Sequence, residues 1–167
     1  MLGRGLAAAF AVTALDQATK AWLLSHFGEV GCGRHRETVT SFFELVITCN
    51  SGVSFGLFNR TGVSSLIFAL AAAMIVIVLM LWLGRIRVTF LAVAIGLIIG
   101  GAVGNVVDRL RFGAVIDFLY FHAGSWYWPA FNIADSAICV GVAAMLLDGL
   151  LLRRTAPQAK EREDLSP

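Results

Sequence analysis

Charge is what this chain has least of. Thirteen lysines and arginines and eleven aspartates and glutamates are all that 167 residues carry. That is 14% charged, where soluble domains run to about 25%. The balance of +2 is too small to read as a nucleic-acid-binding surface. Metal-ligand patterns are missing too. His26, His35 and His122 are scattered without ligand spacing, and there is no His-Glu-x-x-His. No Gly-x-Ser-x-Gly elbow occurs, and Ser54 and Ser125 have no evident partner base, which removes the usual serine mechanism. Cys32, Cys49 and Cys139 are an odd set without metal-like spacing. Cys139 lies in an apolar run as a small packing residue. Cys32 and Cys49 share an external segment, and whether they pair stays open. No internal repeat is present.

What the chain has in excess is apolar side chains, 58% of all residues, with a mean hydropathy of +0.80. A domain this small buries only about two-thirds of its surface, so lipid must be the solvent for the remainder. Four stretches approach the roughly 20 apolar residues that cross a hydrocarbon core of about 30 Å. They span 6–27, 63–83, 88–110 and 131–152. The first is broken by Asp16 and lacks a following Ala-x-Ala-like site, so it reads as an uncleaved helix. The expected fold is therefore an all-α polytopic membrane protein, a four-transmembrane-helix bundle forming a single membrane domain over residues 1–154. A small β segment within 28–62 and an interfacial aromatic loop at 111–130 lie outside the membrane. The polar tail 155–167 reads as a disordered cytoplasmic end. Arg4, the Arg85–Arg87 turn and the basic residues after Leu152 put both termini in the cytoplasm. Phe118, Tyr120, Phe121, Trp126, Tyr127 and Trp128 suit the headgroup layer, either as an aromatic belt or as a rim over a site.

The few charges stand where charge is costly, at roughly 2.5–3.5 kcal/mol each on insertion scales. Such residues face a bundle interior or a cavity and have partners. Asp16 and Lys20 are four apart on one helix face, as a structural ion pair or as part of a binding shell. Gly96, Gly100 and Gly104 repeat at a spacing that lets helix backbones approach closely in lipid. Asn105, Asp108 and Arg109 follow one turn later, either as a solvated helix end or as a patch pointing inward. Asp117 sits in the apolar run Val115-Ile116-Asp117-Phe118, and Asp135 follows Asn132 at the start of the fourth stretch. Each aspartate alone would read as structural. Together they flank one external segment. Two adjacent carboxylates share a proton, and the pair then offers one general base for water and one general acid for a leaving amine.

Four blocks give the chain a resemblance to the lipoprotein signal peptidase (signal peptidase II) family over nearly its whole length. They are Asp16-Gln17-Ala18-Thr19-Lys20, Asn50-Ser51-Gly52-Val53-Ser54-Phe55-Gly56, the run from Gly100 to Arg109 continuing to Val115-Ile116-Asp117-Phe118, and Phe131-Asn132-Ile133-Ala134-Asp135-Ser136. The resemblance implies a membrane aspartic endopeptidase without metal or organic cofactor, at the outer face of the bacterial cytoplasmic membrane. Its partners would be membrane lipid and one substrate, a diacylglyceryl-modified prolipoprotein, cut before the lipidated cysteine. The enzyme would be a monomer. Asp117 and Asp135 match the family's catalytic dyad. Asn50, Gly52, Asn105, Asp108, Arg109 and Asn132 match site-shaping or substrate-binding positions, and Asp16 and Lys20 match a supporting pair. Val53 and Ser54 depart from the small apolar residues usual there. Outside the resemblance, the intramembrane charges alone admit a small transporter or a structural subunit.

Overall fold

A computed structural model of the chain describes residues 1–28, 35–52 and 65–152. Four helices carry most of it: α1 (Leu2–His26), α2 (Ser65–Leu83), α3 (Thr89–Phe112) and α4 (Ile133–Leu147), the last extended by a π turn at Asp148–Leu152. Between them run β1 (Arg36–Thr40), β2 (Phe43–Asn50), β3 (Val115–Ala123) and β4 (Trp126–Tyr127). Three helical segments are long and apolar enough to cross a membrane, Ser65–Leu83, Thr89–Phe112 and Ile133–Leu150. The expected tail 155–167 and the residues Cys32, Val53, Ser54 and Phe55 lie outside the described residues.

Helix α3 is the axis of the bundle, and glycine decides how closely its neighbours come. Gly96 and Gly100 lie against the backbone of α1 at Gly5 and Ala9, and Gly104 lies against the Asp16 side chain. Gly101 faces the carbonyl of Ala134 on α4, and Gly141 of α4 returns the contact against Ala94 and Ile98. In lipid the hydrophobic effect does not press helices together, so close van der Waals packing through small residues must do it. Helix α2 joins at the end away from the sheet, where Leu83 packs with Ala9, Leu91, Ala92, Ile95 and Ile99. Its other face, including Leu70, Met74, Ile77 and Leu81, is exposed, as a lipid-facing helix should be.

The residues beyond the bundle correct one expectation. Segment 111–130 is not a loop. It supplies β3 and β4 to a four-stranded antiparallel sheet in the order β1-β2-β3-β4. Val115, Ile116, Phe118, Tyr120 and Phe121 are the β-branched and aromatic types that fit a pleated, half-buried surface. Gly113 makes the change of direction after α3, at φ +73°, with its N–H on the Arg109 carbonyl. Phe131 then hydrogen-bonds both ways with Leu119, which fastens the entry of α4 to β3. Helix α1 starts at Leu2 rather than residue 6. Helix α4 starts at Ile133 rather than 131, because Phe131 is bridged to Leu119 of β3 and Asn132 is the cap.

Candidate active site

The site forms where β3, the end of β2, the last turns of α3 and the first turn of α4 meet. Asp117 points inward from β3 and is 3% exposed. Asp135 stands in the first turn of α4, whose positive end favours an anion. Asn132 caps that helix by accepting the Asp135 N–H at 2.8 Å. The same Asn132 turns its Nδ2 outward to donate to Asp117 Oδ1 at 2.7 Å, and lies 3.3 Å from both Asn105 Oδ1 and the Ile116 carbonyl. Asn105 in turn donates to Asp135 Oδ1 at 2.9 Å. Two asparagine amides therefore link the two carboxylates, each orienting one.

Asn50 closes the far side. It ends β2, pairs with Val115, and donates to Asp117 Oδ2 at 3.4 Å. Its own Oδ1 accepts the Gly52 N–H at 3.1 Å. Arg109, one turn beyond Asn105, donates to the Gly52 carbonyl at 2.6 Å and to the Asn105 carbonyl at 3.3 Å. Its buried Nε has no hydrogen-bond partner among the described residues. Burial, reinforced by the charge of Asp135, pushes the Asp117 carboxyl from an ordinary 3.8 up to about 7, although the Asn50 and Asn132 hydrogen bonds pull it down.

Asp108 does not join this group. Lys20 lies 2.7 Å from Asp16 and 2.6 Å from Asp108, and all three are at most 2% exposed. Gln17, which the sequence reading passed over, donates to Asp108 at 2.8 Å and lies 3.2 Å from both Asp16 and the Gly104 carbonyl. The two carboxylates have a second task. Asp108 accepts the N–H of Ile116 at 3.1 Å and Asp16 accepts the N–H of Ala134 at 3.0 Å. Those are the residues just before Asp117 and Asp135. One buried lysine thus steadies the backbone at both aspartates.

The placement of Asp108 was open to sequence. It continues the four-residue spacing Gly96, Gly100, Gly104, and so shares the face that packs on α1. Among the described residues no group of three or more histidine, cysteine or acidic side chains could hold a metal ion. Cys49 is disulfide-bonded, Cys139 is free, and Cys32 lies outside the described residues.

Comparison with known proteins gives the arrangement a family. The family model for signal peptidase (SPase) II matches residues 8–151. A lipoprotein signal peptidase from Rhodopseudomonas palustris (strain TIE-1) is 47% identical over 88% of this chain and 92% of its own length. One from Azoarcus sp. (strain BH72) is 46% identical over 92% and 86%. A bacterial membrane enzyme solved by the in meso method superposes with a TM-score of 0.73 at 27% identity, covering 93% of this chain and 92% of that one. A second superposes at 0.71 with 28% identity, covering 89% and 94%. On its sequence, its helices and its sheet alike, this chain belongs to the signal peptidase II family.

Proposed function

We propose that this chain removes the signal peptide from diacylglyceryl-modified bacterial prolipoproteins, with Asp117 and Asp135 as the acid–base pair. The observation that carries the reading is the asparagine-linked carboxylate pair, one member of which holds its proton to about pH 7. Burial and the neighbouring Asp135 charge hold the proton on Asp117 near neutrality, which makes Asp117 the acid and leaves the part of base to Asp135.

The chemistry follows from that asymmetry. Asp135 takes a proton from water, and the water oxygen bonds to the carbonyl carbon that precedes the lipidated cysteine. The carbon–nitrogen bond breaks, and Asp117 gives its proton to the departing amine. The products are a carboxylic acid, whose proton passes to the freed amine, and an N-terminal cysteine, and one proton passing from Asp135 back to Asp117 restores the start. Arg109 holds the Gly52 segment at the edge of the site, where an extended peptide would lie.

Four crossings serve this substrate best, with α1 as the fourth. Its 25 residues reach about 37 Å at 1.5 Å per residue, and its charges are turned inward. The sheet would lie at the outer face of the cytoplasmic membrane, the termini inside, and the monomer would suffice. A disulfide at Cys49 fits an oxidising compartment on the sheet side. The transporter reading loses support, because Asp16, Lys20 and Asp108 are closed on one another and not strung along a path.

The test is cleavage of a diacylglyceryl-modified prolipoprotein by purified protein in detergent, comparing wild type with Asp117→Asn and Asp135→Asn. Wild type should cut before the lipidated cysteine, and each folded variant should lose at least about a hundredfold in rate, the lower range for general acid–base groups. Near-normal turnover in either variant would make that aspartate structural.

A further inference from the structure

The end of the bundle remote from the sheet carries three arginines that no carboxylate among the described residues pairs with. Arg85 and Arg87 project from the turn between α2 and α3, and Arg4 from the first turn of α1. Gly5 lets α1 settle on Leu83 and Ala92, which flank that turn, and so brings the start of α1 to the same end. Arg4 reaches across to Thr89, the first residue of α3, at 2.6 Å. All three are exposed. Among the described residues none makes an ion pair, whereas Lys20 and Arg36 at the other end of the molecule do. Asp148, the carboxylate where α4 passes into its π turn, is buried and forms no ion pair among the described residues either.

Two further features surround this cluster. Neither α1 nor α3 has a side-chain cap at its N-terminus, so the first N–H groups of two helices add to the positive field. The rim is apolar. Leu2, Val88 and Phe90 are each 44–52% exposed beside the arginines. Cationic heads above an apolar rim match a lipid, whose acyl chains would lie along the rim while the guanidinium groups meet the phosphate.

We propose that Arg4, Arg85 and Arg87 form a binding site for the headgroup of an anionic phospholipid, in the leaflet opposite the sheet. The partner is the lipid and not free phosphate, since the rim has no use for an ion without chains. The site is remote from Asp117 and Asp135, roughly 28 Å along α3 from Thr89 to Asp108 at 1.5 Å per residue. It holds whether or not the peptidase reading does.

The experiment is thermal unfolding of the full chain in a neutral detergent, titrated with short-chain phosphatidylglycerol, short-chain phosphatidylcholine or inorganic phosphate. Phosphatidylglycerol should raise the midpoint of wild type in a saturable way, and the other two should not. The Arg85→Gln/Arg87→Gln protein, altered only at exposed positions, should fold normally and need roughly thirtyfold more phosphatidylglycerol for the same shift. An Arg4→Gln protein should weaken likewise, and Arg4→Lys should recover most of the response. Equal shifts with phosphatidylcholine or with phosphate would overturn the proposal. So would an unchanged titration in the double variant.

Discussion

At the scale of single residues, Asp117 sets a conflict between stability and chemistry. Its carboxyl is held up to about 7 by burial and by Asp135, against 3.8 in the unfolded chain. Between those two values the folded protein keeps a proton that the unfolded chain has released. Stability therefore falls as pH rises through that window, and the full cost, on the order of 4 kcal/mol, is present above it. Asp117→Asn removes the ionisation but keeps an acceptor for Asn132. The variant should match wild type in melting temperature only near pH 3.5, below both values, and exceed it near pH 8 by on the order of 10 °C, while losing the same hundredfold or more in cleavage rate. A difference that does not change with pH would show that Asp117 is not a strained acid. Wild-type cleavage should also decline above about pH 7, as the proton that Asp117 donates is lost.

Lys20 poses the reverse case. Removing it leaves Asp16 and Asp108 buried and facing each other, and breaking a buried pair in this way costs about 3–5 kcal/mol. Lys20→Met should therefore lower the melting temperature sharply. Adding Asp108→Asn to it should recover part of the loss, because one of the two stranded charges is gone. If the double variant is less stable than Lys20→Met, the lysine is not acting as the shared counter-ion.

Among elements, α3 is the one whose sequence and geometry correspond most directly. The glycines at 96, 100 and 104 read as a packing stripe from spacing alone, and they are where α1 docks. A Cβ added at Gly104 would lie 2.7 Å from Asp16 Oδ2, so Gly104→Ala must push α1 or its carboxylate away. A loss of about 1–3 kcal/mol follows, the usual cost of overpacking. Gly3→Ala, with nothing within 4 Å of the new methyl, should cost nothing and serves as the control in the same unfolding assay. β3 was harder to read. Its aromatics are equally suited to an interfacial loop and to a strand, and what makes it a strand is pairing with β2 and Phe131, both distant in sequence. The same limit applies within the site. Asn105, Asn132, Asp117 and Asp135 stand out in the sequence as polar groups in apolar surroundings, while Asn50 enters only through the resemblance. Which amide bonds which carboxylate depends on the β2–β3 register and the α4 cap, and no local pattern encodes either. Asp108 shows the same limit: it stands i,i+3 from Asn105, yet its place on the glycine face turns it to Lys20 and to the Ile116 N–H.

For the whole molecule the open quantity is the number of crossings, and it turns on α1. By composition alone three segments qualify as spans, and α1 does not. Composition averages over all faces of a helix, whereas lipid meets only the outer one. Asp16 and Lys20 are 0% and 2% exposed, while Phe10, Leu15 and Trp22 on the outside are 57–76% exposed. The charges are solvated by α3 and α4, so insertion of the assembled bundle does not place them in hydrocarbon. Four crossings with the termini inside make a definite pattern of access. In a Cys139→Ser background, Ser41→Cys on the β1–β2 turn should react with a membrane-impermeant maleimide in intact spheroplasts. Gly3→Cys at the start of α1 and Gly84→Cys after α2 should react only once the membrane is permeabilised. Labelling of Gly3→Cys together with Ser41→Cys would mean that α1 does not cross. Labelling of Gly3→Cys and Gly84→Cys but not Ser41→Cys in intact spheroplasts would invert the molecule and put the aspartate pair in the cytoplasm, where lipidated precursors do not present their cleavage sites under the proposed function.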